Sequence, residues 1–292
     1  MRPPPPPPST FSTLVLEKTP TSVKHLTEGK TGALLATYAN GVKAIVKPAK
    51  RKLPNGKTTQ RGISVGSHPR REVAFYQLSK LLGFNIVPET VLTTKAVPGV
   101  EASVQVFMPA YHLKQFNPKL SDVHNKGWKT TLIKTALRVS KDQWRQLLAL
   151  DIIAGARDRH ANNVGVTMHI EDNRPIYNLV AWDNAATFGL TFARYHNVFH
   201  KYLFRQSVNF DKIWPVLDKI TLKDLRRTLG PYVSEEEVGH AFMRMEFFQE
   251  YPYKLPWRVA SDGNDGPSDF PDYKAFFEPV VEKAQHLVVL GR

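Results

Sequence analysis

The sequence predicts an α+β chain in two parts: a strand-rich stretch over residues 12–110, then a mostly helical one over 111–292. Three observations predict it. Short apolar runs broken by glycine turns fill the first stretch, and an Asn40-Gly41 pair sits between two of them. Apolar residues at helical spacing dominate the second stretch. The length of 292 residues suits two domains, or one with two lobes, at about 150 residues per domain. With 42% hydrophobic and 23% charged residues the chain can bury a core, which excludes wholesale disorder.

Taken in order, residues 1–11 form a proline-rich tail, since Pro3–Pro8 fixes φ and removes amide donors. A docking motif for an SH3-type domain is one reading of that run and a flexible solvated tail is the other. Val23–Leu26, Ala33–Tyr38 and Val42–Val46 read as strands, and Asn40-Gly41 as a tight hairpin turn with positive φ at both positions. Residues 49–67 are rich in Lys, Arg, Gly, Thr and Ser and read as a long mobile loop. A helix is expected over Glu72–Leu82, closed by Gly83, followed by strands over Ile86–Leu92 and Ala102–Met108. That order resembles a small nucleotide-binding lobe. Helices are expected over Asp142–Ala154, after a capping box of Ser234 with Glu237, and over Tyr273–Leu290 with a break at Pro279. Their aromatic residues read as core.

Forty Lys+Arg against twenty-six Asp+Glu leave a formal charge of +14, which favours acidic partners. The stretch Lys43–Arg71 holds nine Lys or Arg, no acid and no aromatic residue. Nucleic-acid binding adds aromatic stacking platforms to such a patch, so an acidic protein substrate or a solvated face fits better, with an anionic lipid headgroup left open. The absence of cysteine excludes disulfide scaffolds, thiolate metal sites and cysteine nucleophiles. No apolar run approaches the roughly 18–20 residues of a membrane helix, and the proline-rich start lacks a signal's apolar stretch. A cytosolic setting, or a host cytosol, is the expectation.

The informative segment runs from Leu150 through Asp158-Arg159-His160-Ala161-Asn162-Asn163, and is followed by Trp182-Asp183-Asn184. It reads as a helix end, a polar loop, two short strands (Val164–Thr167 and Ile176–Ala181) and a second polar loop. Such a hairpin brings Asp158, Asn163 and Asp183 to one end of the lobe. Phosphoryl transfer needs such a set: a carboxylate for the acceptor's proton, and hard oxygen ligands holding a divalent ion against nucleotide phosphates. Taken alone, Asp-Arg-His is also a common helix C-terminus with a turn-forming Asp.

The spacing Asp-Arg-His-x-x-Asn, with Asp151 seven residues upstream and Asp183-Asn184 downstream, resembles the catalytic loop of the phosphatidylinositol 3-/4-kinase-like superfamily. That superfamily takes in phosphatidylinositol 4-kinases, HipA-type bacterial kinases and Golgi casein kinase-like secreted kinases. The resemblance covers about residues 23–190 and implies a bilobal protein-kinase-like fold using ATP with Mg2+, or Mn2+ in its place. It implies Asp158 as catalytic aspartate and Asn163 and Asp183 as metal ligands, with Asn162 the alternative amide. His160 is a base on chemistry alone, but the resemblance gives it an orienting role. In the first part Gly29, Lys30 and Gly32 resemble the glycine loop, Lys47 the phosphate lysine and Glu72 its ion-pair partner. Each also has a plainer reading: turn glycines, solvated lysines, and a Glu favoured in a helix's first turn. Backbone groups of Phe107 and Met108 are placed at the adenine edge. Asp151 is expected to hydrogen-bond the loop backbone or His160; Arg157 and Arg159 either steer phosphate or face solvent, and solvent is favoured for Arg157. The expected activity is an atypical protein serine/threonine kinase, the alternatives being a phosphoinositide kinase or a catalytically silent kinase-fold binding module.

Overall fold

The computed structural model describes residues 10–26, 32–50, 56, 59–60, 63–112, 139–159, 161–189 and 210–250. The proline run, Gly29, Lys30, His160 and the stretch 273–290 lie outside the described residues.

The N-terminal part is built on a five-stranded antiparallel sheet. Its strands are β1 (Ser22–His25), β2 (Leu34–Thr37), β3 (Lys43–Pro48), β6 (Thr90–Val97) and β7 (Val100–Val106), in the order β1-β2-β3-β7-β6. Alternation along β3 buries Ala44 and Val46 on one face and turns Lys47 to the other. Between β2 and β3 the hairpin expected at Asn40-Gly41 forms, but only Gly41 has positive φ, at 80°. Tyr38 accepts from Gly41 N–H at 2.9 Å and donates to Val42 O at 2.9 Å. The loop is thus three residues long, a tight turn followed by a left-handed glycine, rather than the two-residue form.

Helix α1 (Thr10–Glu17) packs against β6 and inserts Val15 into the smaller core, beside Leu34, Ala36, Tyr38, Ala44, Val46 and Val104. This helix stands where the sequence predicts the end of a tail and the beginning of a strand-rich stretch. The stretch expected as one long loop contains a minimal hairpin, β4 (Thr59–Gln60) with β5 (Ile63–Ser64), and a 3-10 turn at Val65–Ser67. Helix α2 (His68–Leu81) begins a turn earlier than expected, because Pro69 is accommodated in the first turn where no helical N–H partner is needed. The strand expected from Ile86 starts only at Thr90. Pro88 has no N–H to offer a ladder, and Ile86 O instead accepts from Ala181 N at 2.7 Å.

The second part centres on α3 (Lys141–Ala154), whose N-cap Ser140 accepts from Asp142 N. Its C-terminus closes at Gly155 with φ 63°: Gly155 N bonds Ile152 O at 3.0 Å, and Ala156 N bonds Asp151 O at 2.8 Å. Glycine is doubly required there, since a Cβ would press on the Arg244 guanidinium at 3.1 Å. A three-stranded sheet follows, β10-β9-β8, from β8 (Tyr111–His112), β9 (Val164–Glu171) and β10 (Arg174–Ala181). The β9–β10 hairpin is longer than expected and turns on Asp172 and Asn173, at φ 50° and 60°.

Three helices complete the described residues: α4 (Trp214–Leu217), α5 (Leu222–Leu229) and α6 (Glu235–Glu250). Ser234 and Glu237 form the expected reciprocal cap at the start of α6, with bonds of 2.8 and 3.2 Å. The larger core takes Phe75 and Leu78 from α2 together with Trp144, Leu148, Phe188, Phe210 and Phe248. Helix α2 is therefore shared between the first sheet and the helical part. None of the described helices is long and apolar enough to cross a membrane.

Candidate active site

Lys47 leaves β3 on the face covered by α2, and Glu72 lies one turn into that helix. Their side chains form an ion pair, with Glu72 only 2% exposed. Lys47 Nζ also donates to Asp183 Oδ1 at 2.8 Å, so one ammonium joins the first sheet, α2 and the loop after β10. The second oxygen of Glu72 accepts from the backbone N–H of Asn184 at 3.0 Å. Burial alone would push the Lys47 ammonium toward neutrality, but the carboxylates of Asp183 and Glu72 outweigh it and raise its pKa.

Asp183 adopts φ 54°, a left-handed conformation uncommon for a residue with a side chain. Its carboxylate is 35% exposed, whereas Asn184 is buried. Asn163 ends a 3-10 turn, and its side-chain amide N–H donates to the Asp158 carbonyl at 2.7 Å. The Asn163 amide orientation thereby leaves its oxygen as the acceptor. Asn163 O also accepts from Trp182 N at 3.1 Å, so the Asp158 loop and the Asp183 loop are joined through their backbones. Asn162, the alternative amide, is exposed, and its carbonyl accepts from the Trp182 indole at 2.8 Å.

Arg159 is the residue of the candidate site whose placement the sequence reading does not anticipate. It is 1% exposed, neither solvated nor turned toward a phosphate. Its guanidinium donates to both Asp151 oxygens at 2.9–3.1 Å, to the carbonyls of Asn163 and Trp182 at 3.0 Å each, and to Asn184 Oδ1 at 2.7 Å. Its flat face covers the Phe75 ring at 5.4 Å. Asp151 therefore pairs with Arg159, whereas His160, one of its expected partners, lies outside the described residues. A signal was present: Asp151 interrupts the apolar run Leu150-Asp151-Ile152-Ile153-Ala154, and a buried carboxylate there demands a cation. Arg157 is likewise buried rather than solvent-facing, packed where a Cβ on Gly189 would need to stand.

A second arginine escaped notice. Arg71, beside Glu72, donates to the Thr187 carbonyl and to Glu237 of α6, and its Nε donates to Ser67 Oγ at 2.9 Å. These bonds tie α2 to the loop after Asp183 and to the helical part. His68, at the start of α2, is held near pKa 4 by burial and the neighbouring Arg71 and Lys47 charges, against the pull of Asp183, so its ring is neutral at physiological pH.

At the proposed adenine edge Phe107 and Met108 stand past the end of β7, 42% and 39% exposed. The Phe107 N–H is already bonded to Lys43 O at 3.0 Å, which removes one of the backbone groups expected to read the base. Gly32 is placed at φ 62°, a conformation that suits glycine.

The described residues contain no group of three or more His, Cys, Asp or Glu side chains that would hold a metal alone. Mg2+ is usually held by one or two carboxylates completed by phosphate oxygens and water. The Asp183 carboxylate and the Asn163 amide oxygen, hard donors on two joined loops, fit that kind of partial shell.

No protein-family model and no curated protein sequence matches this chain. Solved structures do. A Golgi casein kinase matches with a TM-score of 0.54 and 14% identity, over 82% of this chain and 74% of its own. Hydra Fam20 solved with sugar matches with a TM-score of 0.54 and 13% identity, over 83% and 88%. The Helicobacter pylori proinflammatory kinase CtkA matches with a TM-score of 0.50 and 14% identity, over 78% and 92%. The chain therefore has a kinase-like α+β fold, with a sheet-based N-terminal part and a helix-rich remainder.

Proposed function

We propose that this protein is an ATP- and Mg2+-dependent phosphotransferase, an atypical kinase acting on protein serine or threonine hydroxyls. One observation carries the reading: a single buried ammonium, Lys47, bonds at once to Glu72 of α2 and to Asp183 beyond β10. A structural ion pair needs one partner, whereas a phosphoryl-transfer site needs both. A divalent ion bound with ATP would supply charge neutralisation on the phosphates, held by Asp183 and Asn163.

The remaining work falls to side chains of the chain itself. Asp158, partly exposed on the loop that Asn163 braces, would align the acceptor hydroxyl and take its proton as the new P–O bond forms. Glu72 holds Lys47 in the cleft, and Arg159 sets the separation of the two acidic loops. A protein acceptor is supported by one structural neighbour, the Golgi casein kinase, whose name gives a protein as its substrate. The acid-free basic stretch Lys43–Arg71 suits an acidic substrate.

Turnover of ATP in the presence of Mg2+ tests the reading. Asp158→Ala should lower kcat by about 10²–10⁴-fold, the usual worth of a positioned base. Asp183→Ala should abolish the Mg2+ dependence. Parallel incubations with a protein mixture and with phosphoinositide vesicles identify the acceptor, and phosphate transfer to the vesicles alone would replace the protein reading with a lipid one. Equal turnover by wild type and both variants would refute the kinase reading altogether.

A further inference from the structure

We propose that Lys50 is a second phosphate-binding cation of the nucleotide site, acting on the polyphosphate and not on the nucleoside. This inference rests on the kinase reading above and extends it to a residue outside the sequence motifs. Lys50 follows β3 by two positions, and its ammonium stands against the backbone of Gly32, in the spot a Cβ would need. Its backbone carbonyl lies beside Gly66, in the turn that leads into α2. Lys50 is thus placed between Gly32, two residues before β2, and the N-terminal end of α2, which carries Glu72.

The charges of the site require such a group. Lys47 is the cation expected to meet the phosphates, yet it is bonded to two carboxylates, Glu72 and Asp183. Arg159 is committed to Asp151, and Arg71 to Glu237. With Asp158 also present, the described cleft sets three carboxylates against the one cation Lys47 once the Arg159–Asp151 and Arg71–Glu237 pairs cancel, so a divalent ion brings it only to neutrality and a triphosphate meets no net attraction there without a further cation. Among the described residues Lys50 has no hydrogen-bond or ion-pair partner, and it is only partly exposed. The nearby Glu101 carboxylate is taken by Arg70, through two bonds of 2.8 Å. An unpaired ammonium in this position gains most from an anion, and at Gly32 no side chain keeps that anion from the backbone.

Calorimetric titration of wild type, Lys50→Met and Lys50→Arg with adenosine and with Mg2+-ATP separates the possibilities. Loss of one charge-assisted contact should weaken ATP binding about tenfold or more in Lys50→Met, leave adenosine binding unchanged, and be largely restored in Lys50→Arg. All three proteins should share one melting temperature, because the side chain has no partner to lose. Unchanged ATP affinity in Lys50→Met, or equal weakening for ATP and adenosine, overturns the role of Lys50 while leaving the kinase reading standing. A wild-type chain that binds no ATP overturns the kinase reading itself.

Discussion

Removing Arg159 and Asp151 from water is costly, and the pair is tolerated because six hydrogen bonds satisfy the guanidinium at a point where three segments meet. Replacing Arg159 by Met should therefore destabilise the fold by about 3–5 kcal/mol, since it leaves the Asp151 carboxylate buried and unpaired. Adding Asp151→Leu should recover part of that loss. Urea denaturation of the two single variants and the double variant checks this, and strictly additive losses would show that the pair is not coupled. Activity should stay low in the double variant even where stability returns, because the carbonyls of Asn163 and Trp182 have lost their common donor. Lys47, Glu72, Asp158, Asn163 and Asp183 were all singled out in the sequence because each carries chemistry and sits at a recognisable spacing. Arg159 and Arg71 were not weighed as supports, because an arginine has the same letter whether it is solvated or buried among carbonyls.

Among the elements, α2 is the one on which the site depends. Its Glu72 holds Lys47 and the Asn184 amide, and its Arg71 reaches Thr187 and Glu237. The helix is anchored to the larger part through Arg71, the residue next to Glu72. Arg71→Ala should cost about 1.5–3 kcal/mol, the range for hydrogen bonds to charged groups. A double-mutant cycle with Glu237→Ala should give a coupling above about 0.5 kcal/mol, and a value near zero would mean that the ion pair contributes nothing. A lowered kcat should accompany the loss, because Glu72 shares the same turn. The existence of α2 was legible from Val73, Phe75, Leu78 and Leu82 at helical spacing. Its start was not, because a proline at the second position reads as a breaker until the first turn is known to need no donor.

For the whole molecule, two half-buried histidines set an acid limit. Burial depresses His68 to about 4, helped by Arg71 and Lys47. It also lowers His240, helped by Arg244 and opposed by Glu236 and Glu237. Free imidazole titrates near about 6.5, so below that pH the unfolded chain binds protons that the folded chain refuses. Stability should hold above about pH 6.5 and fall as the pH drops toward 4, and the His68 contribution should level off below its folded pKa. Urea midpoints at pH 7.5, 5.5 and 4.5 should show a shallower decline for His68→Gln than for wild type. Parallel declines would mean that His68 is not held neutral.

The sequence by itself determined the α+β class, the hairpin after β2 and the residue types gathered at the candidate site, because periodicity, turn residues and spacing are local properties. Tertiary structure decided the rest: that Lys47 meets Asp183 as well as Glu72, that Asp151 answers Arg159, that Lys50 stands under Gly32, and that the run from Ile86 gives a carbonyl to Ala181 before it becomes a strand. Those pairings join residues as many as 136 positions apart. A charged side chain chooses among distant partners only when packing has stripped water from it, and no local pattern records which partner that will be.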